Sequence, residues 1–471
     1  MDYNDILLVG ITGVLLFLVW RKVNSVLYSD FLSPFNLLFW SWVVPLLLRG
    51  LHISPLERDW SAEAVAGIAL VTLSLTGVSL LPALRRTRIR SFPMSAASFR
   101  EIGHQLNYRS CTVLLLALFL ADFSLYIYTE FILNPGGFSL VNALLGNISL
   151  EGARLYNWWK DESRPGFASL VLILTSFLNL LCATFYLKFR FAKGLPKKLF
   201  FLFIAMQSLA FGLIKLSKTD ATIAFVALAA AEWYYQKFCE QISRQGRLRG
   251  MLYWSVAGVL AVGLVFVMFY STAAYRVGEA EDDVRVFEWL LVENDKPTIL
   301  TVLLYYIYAY TTLNFENAAR FITSYDGGFN LGISALRPFL SLVMQGRIAD
   351  EMLSKIDFNT VTTGLIAGTF ISPVFAELKW IGLVIVPLVY AFLVNSVYWS
   401  FRKTPSLIHF LLYANFAFCW VFMFFSNAFA TLSFYTNAVL IILLGAALNR
   451  LTKQKTNTKS DPQAGLIARQ T

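Results

Sequence analysis

Residues 62–90 read AEAVAGIALVTLSLTGVSLLPALRRTRIR. After Glu63 the chain runs for about twenty residues without a charge, the length a helix needs to cross about 30 Å of hydrocarbon at 1.5 Å per residue. It then meets Arg85, Arg86, Arg88 and Arg90, and beyond them Arg100 and Arg109, against the single acid Glu101. Lys and Arg that gather in a short connection next to a span hold that connection in the cytoplasm. One stretch therefore indicates both a membrane-crossing helix and its direction.

Working outward, similar apolar blocks recur, and we read about eleven spans: residues 6–20, 31–49, 62–83, 111–133, 166–187, 199–216, 221–236, 251–271, 380–400, 406–425 and 428–448. Further basic loops fall where one topology requires them. Lys188, Arg190, Lys193, Lys197 and Lys198 form one, Lys237, Arg244, Arg247 and Arg249 the next, and the tail carries Arg450, Lys453, Lys455 and Lys459. They place the amino terminus outside and the carboxyl terminus inside. Composition agrees: 57% of the residues are hydrophobic and 14% charged, against roughly 45–50% and about 25% in soluble domains, so the excess apolar material faces lipid. The period-two alternation of a membrane β-barrel is missing from the sequence. The expected fold is all-α, a polytopic transmembrane helical bundle.

The net charge of +10 is accounted for by these loops, so no nucleic-acid partner is expected. The four cysteines, Cys111, Cys182, Cys239 and Cys419, show neither CxxC nor Cys/His spacing, and we expect no disulfide framework and no metal site. The first apolar block lacks a basic lead and a small-residue cleavage site, and reads as a retained helix.

The chain divides into spans over 1–271, a long outside stretch over 272–378, spans over 379–450, and a polar cytoplasmic tail over 451–471, expected to be disordered. A loop of about a hundred residues has structure or function of its own. Within it, 297–313 (PTILTVLLYYIYAYTTL) and 358–375 (FNTVTTGLIAGTFISPVF) are apolar but dotted with Thr, Tyr, Asn and Gly, as interfacial or re-entrant helices are. Two further spans here would preserve the topology and raise the total to about thirteen. The inverted repeat that marks many secondary transporters is not visible in the sequence.

Ionisable groups near hydrocarbon are functional candidates by default. Lys215, Lys218 and Asp220 sit in a short outside turn (IKLSKTDAT), where the lysines either snorkel into headgroups or face the long loop. Asp122 falls within a span and reads as a structural hydrogen-bonding group or a functional one, while Glu130 and Glu232 at span ends read as solvated. Tyr275 and Arg276 lead from a span into the long stretch. Glu316 and Arg320 (NFENAARFI) are spaced i, i+4, which puts carboxylate and guanidinium on one helix face. By itself such a pair is an ordinary salt bridge worth a few tenths of a kcal/mol. Here it follows a tyrosine-rich apolar helix, where a planar guanidinium suits phosphate recognition. Arg337 and Arg347 add cations. The sequence lacks a P-loop, a dinucleotide fingerprint and HExxH, and has no DxD-like pair beside its first outside loop, so neither metal nor cofactor is expected.

The long late outside segment with its arginines, followed by FNTVTTGLIAGTFISPVFAELKWIGLVIVPLVYAFL, resembles the Wzy-type O-antigen polymerases, the oligosaccharide repeat-unit polymerase family. The likeness by motif rests on Asn359, Thr360, Thr363, Gly364, Gly368, Glu377 and Gly382. The turn IKLSKTDATIAF is similar to a family turn that usually holds arginine, where this chain has Lys218 and Thr219–Asp220. The resemblance implies a bacterial inner-membrane glycosyltransferase acting on the periplasmic face. It would move a growing glycan from undecaprenyl diphosphate onto an incoming carrier-linked repeat unit, alone or with a chain-length regulator. Its expected catalytic residues are Glu316, as base, with Arg320 and Arg276 as donors to the departing diphosphate. Lys218, Asp220, Tyr275, Arg337, Asn359 and Glu377 are expected to bind substrate, Glu377 being a second candidate base. An O-antigen ligase, a lipid-linked oligosaccharide flippase and a non-enzymatic scaffold are the competing readings. A flippase is expected to carry its charges between helices and to have short outside loops.

Overall fold

The computed structural model describes residues 3–26, 30–52, 57, 59–84, 96–128, 166–214, 218–239, 299–329 and 369–459. Every regular element among them is helical. Helix α1 is Tyr3–Val26. Helix α2, Pro34–Arg49, opens on Ser33, whose hydroxyl accepts from the Asn36 amide, with Pro34 in the first turn where its missing N–H costs nothing. It widens into a π-turn over Phe39–Val43 just before Pro45, which cannot donate to the preceding turn.

Then come α3 (Ala62–Leu84), α4 (Ala96–Asn107), α5 (Arg109–Ile127), α6 (Gly166–Phe191), α7 (Leu195–Ile214), α8 (Lys218–Cys239), α9 (Ile299–Ser324), α10 (Ile371–Lys403), α11 (Leu407–Phe422) and α12 (Leu432–Lys459). Each expected span except 251–271, which lies outside the described residues, overlaps one of these helices.

Helix α6 is the axis of one group, packing on α4, α5, α7, α8 and α12, while α10 gathers α2, α3, α9 and α11. Helix α11 joins the two groups through α8 and α12. Trp42 of α2 is fully buried where this second group meets. Its indole N–H donates to Thr72 Oγ1 on α3 at 3.0 Å, and Phe315 of α9 meets its ring edge-on at 4.9 Å.

Among the described residues three helical segments are long and apolar enough to cross a membrane, Ala62–Leu81, Ile371–Lys403 and Leu432–Leu451, or four if α4 and α5 make one span bent by 79°. The chain is thus a helical protein of membrane character. Helices α2 and α11 are apolar but too short. In α6 every residue from Ser176 to Lys188 is buried by neighbouring helices, so over that stretch its surface faces protein on all sides. Helix α4 was expected only as part of a basic loop. It buries Phe99, Ile102 and Leu106 and exposes Arg100, Glu101 and His104, an amphipathic face at helical spacing.

The outside stretch also differs from expectation. Helix α9 runs on to Ser324 instead of stopping near 313, and every residue from Thr312 to Ala319 is buried against α2, α3 and α10. It is wedged into the bundle. Helix α10 begins at Ile371, ahead of the expected 380, and is broken at Lys379 (φ 49°, ψ −139°), a conformation that L-residues rarely adopt. The break needs Gly382: a Cβ there would lie 2.7 Å from the Val374 carbonyl oxygen.

Candidate functional site

Helix α9 places Glu316 at the carboxyl-terminal end of α2 and the start of α3. Its side chain is 1% exposed, a position where an ionised carboxylate is costly unless paired and hydrogen-bonded. Arg49, the last residue of α2, donates through Nη2 to Glu316 Oε2 at 3.0 Å. The indole N–H of Trp60, just before α3, donates to the same oxygen at 2.8 Å. Arg320, one turn along α9, donates through Nε to Oε1 at 3.1 Å. The spacing rule anticipated that last contact.

The Arg49 guanidinium lies 4.1 Å from the centre of the Trp60 ring, a cation–π distance. Its Nη1 is 3.3 Å from His52 Nε2, and His52 itself has φ 46°. Nearby, the Tyr308 hydroxyl of α9 points at both oxygens of Glu57, at 2.7 and 2.8 Å, and lies 3.3 Å from the Leu48 carbonyl. Ser61 and Thr323 share a 2.8 Å hydrogen bond at the rim. Arg49 is enclosed, whereas the Arg320 side chain is 21% exposed and reaches the surface.

A second buried carboxylate lies at the other end of α2. Asp30 is fully buried and accepts from Trp233 Nε1 at 3.0 Å, Tyr234 at 3.3 Å, Tyr398 at 2.7 Å and Arg402 at 3.3 Å. Lys237 stands 3.8 Å away. A third group corrects an expectation. Glu232 is buried, paired with Arg190 at 3.2 Å and bonded by the Tyr186 hydroxyl at 2.9 Å; packing of α6 on α8 encloses it where a solvated span end was expected.

Of the expected site residues, the structure brings Glu316 and Arg320 together. Glu377 is buried on α10, two residues before the break, in a different setting. Lys218 and Asp220 stand in the first turn of α8, with their side chains outside what is described. Tyr275, Arg276, Arg337 and Asn359 lie outside the described residues, as does the side chain of Asp122. Sequence reasoning missed Arg49, Trp60, Glu57, Tyr308 and Asp30. Arg49 closes an apolar run and read only as a span end.

Both oxygens of Glu316 accept from cations or the indole. A carboxylate so engaged is a fixture that holds two guanidiniums in place. Among the described residues no three His, Cys, Asp or Glu side chains group closely enough to hold a metal ion. Comparison with protein-family models, curated proteins and solved structures returns no match.

Proposed function

We propose that this protein is a membrane glycosyltransferase that polymerises oligosaccharide repeat units carried on undecaprenyl diphosphate. It works at the periplasmic face of a bacterial inner membrane, in a bundle of about eleven spans whose amino terminus is outside. The observation that carries the reading is the buried Glu316 carboxylate that fixes Arg49 and Arg320 side by side. A departing lipid diphosphate develops negative charge, and pre-oriented guanidiniums that need no reorganisation stabilise it best. Arg320, at the surface edge, meets the diphosphate, and Glu316 and Arg49 hold its orientation.

Charge placement supports the orientation. Arg49, Glu316 and Arg320 gather at one end of α2, while Lys237 and Arg402 gather with Asp30 at the other, adjoining the basic connections that belong inside. On this reading Arg276 and Arg337 bring further donors from the long outside stretch. Tyr275, Lys218, Asp220, Asn359 and Glu377 contact the lipid-linked sugars, and a chain-length regulator is a candidate partner.

The test is direct. Purified full-length protein in lipid nanodiscs is given carrier-linked repeat units, and new glycosidic bonds are followed by mass spectrometry. Polymer from the wild type, lost in Arg320→Ala, is the expected result. A well-folded wild type that forms no bond overturns the proposal in favour of transport.

A further inference from the structure

We propose that Trp60 is a positioning residue which, through Glu316, sets the direction in which Arg320 presents its guanidinium to the departing diphosphate, an inference that rests on the glycosyltransferase reading. Direction matters because a guanidinium is a planar fork whose donors point in fixed directions, and a donor serves a developing charge best when it is already aimed at it. Arg320 is joined to Glu316 Oε1 through Nε at 3.1 Å, so the set of the guanidinium follows that of the carboxylate. A carboxylate held by one oxygen alone can still turn. Here the other oxygen, Oε2, accepts from Trp60 Nε1 at 2.8 Å and from Arg49 Nη2 at 3.0 Å. The Trp60 ring also lies 4.1 Å from the Arg49 guanidinium carbon, so the indole acts on the carboxylate directly by its N–H and again through Arg49 by its ring.

Trp60 is itself anchored. The next residue, Ser61, caps α3 by accepting from the Ala64 amide at 3.2 Å, and its hydroxyl meets that of Thr323 on α9 at 2.8 Å. The Thr323 hydroxyl already donates to the Ala319 carbonyl at 3.0 Å, so the hydrogen between the two hydroxyls is that of Ser61.

Glu316, Arg320 and Thr323 are spaced four and then three positions apart and share one face of α9. Two adjacent residues at the entry of α3 therefore grip that face at Glu316 and at Thr323. Arg320 stands between the two grips, with its side chain reaching the surface.

The experiment uses full-length protein in nanodiscs with carrier-linked repeat units and introduces Trp60→Phe into two backgrounds, wild type and Arg320→Lys. Phenylalanine keeps an aromatic ring and removes the N–H. In the wild-type background kcat is expected to fall about tenfold with KM changed by less than about threefold. In the Arg320→Lys background kcat is expected to fall by less than about threefold, because an ammonium has no plane to be set. A folded Trp60→Phe protein with kcat within about threefold of wild type overturns the proposal, and so does a loss in the Arg320→Lys background as large as that in wild type, which would mark Trp60 as a packing residue only. If Trp60→Phe fails to fold, benzothienylalanine at position 60, which keeps both rings and puts sulfur in place of the N–H, gives the same comparison. A wild type that forms no glycosidic bond overturns the functional reading and the role of Trp60 with it, whereas wild-type polymerisation with a fully active Trp60→Phe removes the role of Trp60 alone.

Discussion

Arg49 and Glu316 are 267 positions apart in the chain and 3.0 Å apart in space. Their pairing joins the end of α2 to the middle of α9, where both side chains are largely enclosed. Glu316→Ala removes the carboxylate that two guanidiniums share and is expected to cost about 3–5 kcal/mol. The double variant Arg49→Ala/Glu316→Ala is expected to recover part of that loss, since the two charges are coupled. Thermal unfolding in detergent of the three proteins measures the coupling, and strictly additive losses would refute it.

Arg320 shares the same carboxylate but reaches the surface, so its contribution to stability is small, below about 1 kcal/mol. Its contribution to activity is large if it meets the diphosphate. Arg320→Ala is expected to abolish long glycan chains with the protein still present in the membrane. Arg320→Lys, which keeps the charge but loses the planar fork, is expected to make shortened chains. A glycan ladder on a gel, beside a blot for protein amount, reads both effects.

Asp30 anchors the opposite end of α2. Asp30→Asn removes the negative charge that faces Arg402 at 3.3 Å and Lys237 at 3.8 Å, and a cost of about 3–5 kcal/mol is expected. Because three aromatic donors also converge there, Asp30→Ala is expected to be worse still. Comparison of the melting temperatures of the two variants checks the order.

The break in α10 gives two substitutions of opposite sign. At Lys379 the backbone strain is worth about 1–3 kcal/mol. The Lys379 ammonium gains about 0.5–1 kcal/mol from the Tyr325 ring, which lies 3.8 Å away. Strain outweighs attraction, so Lys379→Gly is expected to raise stability by about 1 kcal/mol. Gly382→Ala presses a methyl group against the Val374 carbonyl, and a loss of about 1–3 kcal/mol is expected. Unfolding curves in detergent that showed both changes neutral would mean that the break is not a fixed feature of the fold.

Local patterns were legible in the sequence and distant ones were not. The Glu316–Arg320 contact follows from i, i+4 spacing, which is a property of a single helix. Arg49 and Trp60 come to the same carboxylate only through the packing of α2, α3 and α9, and no spacing rule spans 256 or 267 residues. Hydropathy located the helices but not what they face. An apolar run surrounded by protein, as in α6 between Ser176 and Lys188, has the same composition as one surrounded by lipid. The same ambiguity explains Glu232, whose partner Arg190 sits on another helix, and α9, whose tyrosines and threonines suggested an interface although Thr312 to Ala319 are buried. Helix α4 escaped notice because its arginines dominated the reading of its loop.

Helix α2 works as a strut clamped at both ends. Its foot is tied through Asp30 to Trp233 of α8 and to Tyr398 and Arg402 of α10; its head is tied through Arg49 to Glu316 of α9. A shift of α9 relative to α8 and α10 must therefore rupture one clamp or carry the rod bodily along, so the two ends of α2 are mechanically linked.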